Sequence, residues 1–179
     1  MRWTRLLALF IILLVPLTSY AQTQTHRPPR STTAKKAVQS NEADIRQWLD
    51  RWAKAFRAHD VNAIMSLYAP GVVAYDLVPP LQYVGADAYR KDYEEFLAQY
   101  EGPIDIELRD LHIIASDSVA FATSLQRISG TLKNGQKSDV WVRVTNGFRK
   151  INGKWLDTHD HVSVPVDLAS GKAVLDLKP

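Results

Sequence analysis

The chain of 179 residues carries 22 basic and 19 acidic side chains, a formal charge of +3, with 46% hydrophobic residues and no cysteine. That length suits one globular domain, the apolar content excludes a wholly disordered chain, and the lack of cysteine removes disulfides and thiolate chemistry. Six of the basic residues and none of the acids precede residue 42, so 42–179 holds 16 bases against 19 acids, a balance that argues against nucleic acid as a partner.

The chain begins Met1-Arg2-Trp3-Thr4-Arg5, continues as ten apolar residues from Leu6 to Val15, and reaches Ser19-Tyr20-Ala21. A basic start, a short apolar run and a small-residue exit predict a signal peptide over 1–21, cleaved after Ala21, and a secreted or periplasmic product. Ten apolar residues are half of the roughly 20 that cross a bilayer, so no stable membrane span is expected after cleavage. Residues 22–41 are polar and basic, with Pro28-Pro29 and no apolar period, and read as a flexible linker to a domain over 42–179.

Ile45, Trp48, Leu49, Trp52, Ala53 and Phe56 recur at helical spacing, with Asn41 as candidate cap. Asp60 can cap a short second helix carrying Ile64, Leu67 and Tyr68, stopped by Pro70-Gly71. Val72–Leu77 reads as a strand. A third helix starts near Ala86, has Tyr89, Tyr93, Phe96, Leu97 and Tyr100 on one face, and ends at Gly102-Pro103. From Ile104 the period becomes two, and the runs Val119–Leu132, Ser138–Lys150 and Trp155–Val164 follow, separated by Asn134-Gly135 and Asn152-Gly153. Asn-Gly is a strong hairpin signal, so these strands form an antiparallel meander. Three helices and a meander, each with one apolar face, must cover each other, giving an α+β domain whose curved sheet leaves a cavity at its open end.

Several strings, in order, resemble the nuclear transport factor two-like superfamily, and within it the SnoaL-like and ketosteroid-isomerase-like proteins. They are Trp52…Phe56-Arg57-Ala58-His59-Asp60, Tyr75-Asp76, Tyr83-Val84-Gly85, and Arg143-Val144-Thr145…Asn152-Gly153-Lys154-Trp155…His159-Asp160-His161-Val162-Ser163. The last is also similar to the association domain of calcium/calmodulin-dependent kinase II. The resemblance spans about 42–166 and implies a cystatin-like, cone-shaped sheet around three helices, a pocket, and a homodimer packed through the sheet. It also places Asp76 in register with the proton-moving aspartate of the isomerases. Their tyrosine and aspartic-acid donors fall at Trp52 and near Asn146, a departure from the isomerase pair.

On the residues themselves, Asp76 sits among Tyr75, Leu77, Val78 and Pro79, where desolvation raises a carboxylate toward a useful basicity; the alternative is a turn cap before Pro79-Pro80. His159 and His161 lie two apart on a strand, roughly 7 Å between Cβ atoms, pointing the same way as Trp155, Asp157 and Ser163. They are candidate pocket acid–base groups, metal ligands with His112 or Asp76, or sheet-surface residues. Pocket lining is the expectation, with no metal and no cofactor. Arg143, flanked on its face by Trp141 and Thr145, either holds a carboxylate or enolate ligand or pairs with Asp139 or Asp157. Tyr83, Tyr89 and Tyr93 line the mouth or belong to the core.

The expected function is an exported pocket protein for a small, partly apolar molecule bearing a carbonyl or carboxylate. Asp76 and His161 would serve proton transfer or addition–elimination, with Arg143, His159, Tyr83, Trp52, Trp141 and Asn146 binding. A noncatalytic ligand-binding or dimerisation module of the cell envelope is the alternative.

Overall fold

The computed structural model describes residues 32–179, with side chains from Lys36 onward; the expected signal peptide and the start of the linker lie outside the described residues. Helix α1 runs Thr32–Arg57, ten residues earlier than Asn41 suggested, so Thr32–Asn41 is helix rather than flexible linker. The stretch after Pro29 contains good helix formers and no breaker. Asn41 acts across the fold instead of capping: its Nδ2 donates to Ser116 O (2.8 Å), and its Oδ1 accepts from Lys150 Nζ (3.0 Å).

Helix α2 (Val61–Met65) is capped as expected, Ala63 N–H donating to Asp60 Oδ1 at 2.9 Å. Strand β1 (Tyr68–Tyr75) takes in Pro70-Gly71 and shifts register after Tyr68. Short β2 (Tyr83–Val84) leads to α3 (Ala86–Leu97). Next come β3 (Tyr100–Ala115), β4 (Val119–Leu132), β5 (Lys137–Ile151) and β6 (Lys154–Ser163), then a small hairpin of β7 (Val166–Asp167) and β8 (Lys172–Ala173). Helix α3 ends sooner than expected. Tyr100 opens β3, and Gly102-Pro103 falls at a register irregularity within that strand.

The six-stranded sheet has the order β2-β1-β6-β5-β4-β3. Strands β3 to β6 are the antiparallel meander, while β1 joins β6 in parallel. The β5–β6 turn has Asn152 and Gly153 both at positive φ (50° and 77°), the conformation that makes Asn-Gly favourable there. The core lies between α1, α3 and the inner sheet face. Trp48, 1% exposed, meets Phe148 and Tyr68 edge-on at 5.0 and 5.7 Å, and its indole N–H donates to Leu67 O at 3.0 Å. Such a side chain couples a large buried apolar area to a satisfied polar atom.

One irregularity decides the site. Gly147 pairs with His159 and Phe148 with Asp157, leaving Thr158 as an extra residue in β6. Its hydroxyl donates to Gly147 O at 2.9 Å. A Cβ on Gly147 would lie 3.3 Å from His159 Cβ, so the tight approach favours glycine. A bulge of this kind reverses the inside–outside alternation beyond it.

Candidate functional site

A cavity of about 110 Å³ opens between α1, α3 and the inner faces of β4, β5 and β6. An apolar void of about 150 Å³ admits benzene, so this space suits a single small ring or chain. Its walls include Trp48, Trp52, Phe56, Phe96, Val142 and Val162, with Leu77 and Val78 at its exposed rim. Its polar lining consists of Asp76, Asp92, Asp160, Asn146 and Gln126, with Tyr89 and Tyr93 beside them.

Asp160, 3% exposed, is the hub. Its Oδ2 accepts from Tyr68 and Tyr89 hydroxyls, each at 3.0 Å, and its Oδ1 accepts from Asn146 Nδ2 at 3.1 Å. The other hydrogen of that amide goes to Asp157 Oδ2 (2.9 Å), while His159 N–H donates to Asp157 Oδ1 (2.9 Å). Tyr93 and Tyr68 hydroxyls lie 2.7 Å apart, and Trp52 Nε1 donates to Tyr93 at 3.0 Å. Tyr89 OH also lies 3.3 Å from Asp76 Oδ2, so one hydroxyl hydrogen serves two carboxyls. Asp92 Oδ1 accepts from Tyr83 OH at 2.9 Å.

No Lys, Arg or His lines this space among the described residues. Burial, then the neighbouring Asp76, raises Asp160 to about 7. The same two causes raise Asp92 to about 6. Burial also raises Asp76, against a counter-pull from Leu77 N–H, which donates to its Oδ1 at 2.6 Å. Asp157, fully buried beside Asp160, is pushed well above the ordinary carboxylate value. Uncompensated neighbouring carboxyls in a low dielectric share protons rather than all ionising. Near neutral pH the cluster therefore holds both proton donors and proton acceptors, as acid–base chemistry requires.

Of the residues singled out in the sequence, the structure brings Asp76, Trp52 and Asn146 to the cavity. Tyr83 is buried but stands behind it, bonded to Asp92 and to Pro79 O. The remaining four are on the other side of the sheet. His161 and Arg143 are exposed; His159 stacks edge-on with Tyr75 (4.9 Å), and its Nδ1 lies 2.9 Å from Val73 O. Trp141 lies under the Arg109 guanidinium, 5.5 Å from its ring centre. The Thr158 bulge turns the histidines: Trp155 and Asp157 precede it and face inward, whereas His159, His161 and Ser163 follow it and face out; Trp141 and Arg143 face out by plain alternation with Val142 and Val144 on β5. His161 and Arg143 are thus not partners of Asp76, and an anionic ligand would meet no counter-charge in the cavity.

The residues missed were Asp157, Asp160, Asp92 and Gln126. An Asp-x-x-Asp pair cannot share a face of a regular strand, so only a bulge signal, such as the glycine opposite, could have found the first two. Asp92 lies one residue before Tyr93 on the buried face of α3 and was hidden among exposed charges of that helix.

A model of the SnoaL-like domain matches residues 45–167. No curated protein matches the chain by sequence. A solved structure of an NTF2-like protein of unknown function from Pseudomonas putida KT2440 is 34% identical, with a TM-score of 0.73 over 79% of this chain and 98% of that one. One from Xanthomonas campestris, provisionally assigned as a calcium/calmodulin dependent protein kinase II association domain, is 25% identical (TM-score 0.62; 69% and 87% covered). A ketosteroid isomerase-like protein from Erwinia carotovora atroseptica is 21% identical, with a TM-score of 0.59 over 68% and 93% of the chains, and shares the fold.

Proposed function

We propose that this chain, which belongs to the SnoaL-like domain family within the NTF2-like fold, binds a small, partly apolar molecule in its cavity and moves a proton on it. The observation that carries the reading is the group of carboxyls, buried Asp92 and Asp160 with half-buried Asp76, at the wall of a mainly aromatic and aliphatic space that no cation lines among the described residues. Asp76, next to the exposed rim, accepts a proton from a guest carbon; a protonated Asp160 or Asp92 supplies one to the guest's heteroatom. The cluster then holds the same number of protons as before. The Tyr89 hydroxyl, shared between Asp76 and Asp160, links the two sites.

The test is exchange of the α-hydrogens of cyclohexanone in deuterated buffer at pH 7. Acceleration over buffer that Asp76→Asn removes is the expected result. No acceleration by the wild type, with binding intact, would leave a binding module only. That second reading has its own support: the hydrogens of Trp52 Nε1 and Asn146 Nδ2 are taken up internally by Tyr93, Asp157 and Asp160, and are not free for a ligand. The exposed outer sheet residues Ile114, Val119 and Phe121 support a homodimer through the sheet, tested by sedimentation. Export follows from the leader and is tested by the mass of the mature protein.

A further inference from the structure

The hydrogen bonds inside the cavity show which side of the donor–acceptor balance is left open. Each hydroxyl and indole hydrogen of the network already has an acceptor: Trp52 gives to Tyr93, Tyr68 and Tyr89 give to Asp160, and Tyr83 gives to Asp92. Tyr93, with Tyr68 committed to Asp160, gives to the Tyr68 oxygen. Acceptors, by contrast, remain. Asn146 uses both Nδ2 hydrogens on carboxylates, and its Oδ1 has no partner among the described residues. Gln126, 4% exposed and lining the same space, donates from Nε2 to Ser124 Oγ at 3.2 Å, and its Oε1 likewise has none. Both amides line the cavity with their nitrogens committed, so their oxygens are the acceptors left for a donor bound there.

Charge points the same way. Carboxyls reach the space from the end of β1 (Asp76), from α3 (Asp92) and from β6 (Asp160, with Asp157 behind it), and no cation reaches it from any of these elements. The faces of Trp52, Phe56, Tyr89 and Tyr93 complete the wall, and aromatic faces attract cations. We propose that the guest is a small cation, an aryl- or alkylammonium whose N–H groups meet Asn146 Oδ1, Gln126 Oε1 and the Asp160 or Asp92 carboxylate while its apolar part lies among the aromatic rings. This rests on the small-molecule binding proposed above and goes beyond it: an ammonium nitrogen has no lone pair to take a proton from Asp160 or Asp92, so the cation is a ligand of the space rather than a substrate of the proton transfer. Binding would convert one shared-proton carboxyl into a carboxylate, releasing one proton to solvent.

The experiment compares three probes of one size, benzylammonium, benzyl alcohol and phenylacetate, by calorimetry at pH 7 in two buffers of different protonation enthalpy. Benzylammonium is expected to bind at least about tenfold more tightly than benzyl alcohol, with measurable proton release, and phenylacetate not at all. Asp160→Asn and, separately, Asp92→Asn should each reduce the preference for the cation over the alcohol. Equal or tighter binding of benzyl alcohol overturns the cationic guest and leaves the small-molecule reading standing. If none of the three binds, both fall.

Discussion

The two faces of β6 carry opposite chemistry from one short run of residues. Asp157 and Asp160 point inward, bonded to Asn146 and to two tyrosines, whereas His159 and His161 point outward beside Tyr75. Inside, low dielectric and neighbouring carboxyls make ionisation costly; outside, water screens charge. The difference teaches that location, set by one extra residue at Thr158, decides which titratable groups can act.

That contrast can be broken or sharpened by experiment. The largest expected effect is on stability against pH. Asp160 holds its proton in the folded state up to about 7, while in the unfolded chain it loses it near its ordinary 3.8. Its contribution is therefore fully present below pH 4 and is lost as pH rises through 7, by about 4 kcal/mol. Denaturant unfolding should show a more stable protein at pH 5 than at pH 8. Asp160→Asn should flatten that slope, Asn146 turning its amide to suit. A wild type equally stable at both values would show that the inner carboxyls are not desolvated.

Next in size is Tyr89→Phe, which removes the hydroxyl bonded to Asp160 and near Asp76. It should cost about 1–3 kcal/mol and raise Asp160 further, read as a steeper pH slope. On the outer face His159→Ala loses the ring bond to Val73 O, for about 1 kcal/mol. His161→Ala, at an exposed position, should change stability by less than about 0.5 kcal/mol and leave probe binding in the cavity untouched. A loss of binding in either histidine variant would contradict the assignment of faces.

Much of the fold was legible. Helical spacing from Ile45 to Phe56, the Asp60 cap, and the two Asn-Gly turns fix the order of elements because each depends on local chemistry. The start of α1 was not, since Asn41 looks like a cap and its true partners, Ser116 and Lys150, are distant in sequence. The site was half legible: Asp76, Trp52 and Asn146 could be placed by resemblance, and the structure sets all three at the cavity. His159 and His161 face outward because strict alternation fails at Thr158, whereas Arg143 and Trp141 face outward by plain alternation on β5, opposite Val142, Val144 and Asn146. A one-residue bulge has no strong sequence signature, and it turns His159 and His161 away from the cavity while setting Asp157 and Asp160 on the inner side.

The central claim, that desolvated aspartates share protons inside this cavity, is most directly tested by following side-chain carboxyl carbon shifts of labelled aspartate from pH 4 to 9. Asp160 is expected to titrate near 7, and to titrate higher in Tyr89→Phe. If every aspartate in the protein titrates below pH 5, the carboxyls are solvated and the account is wrong.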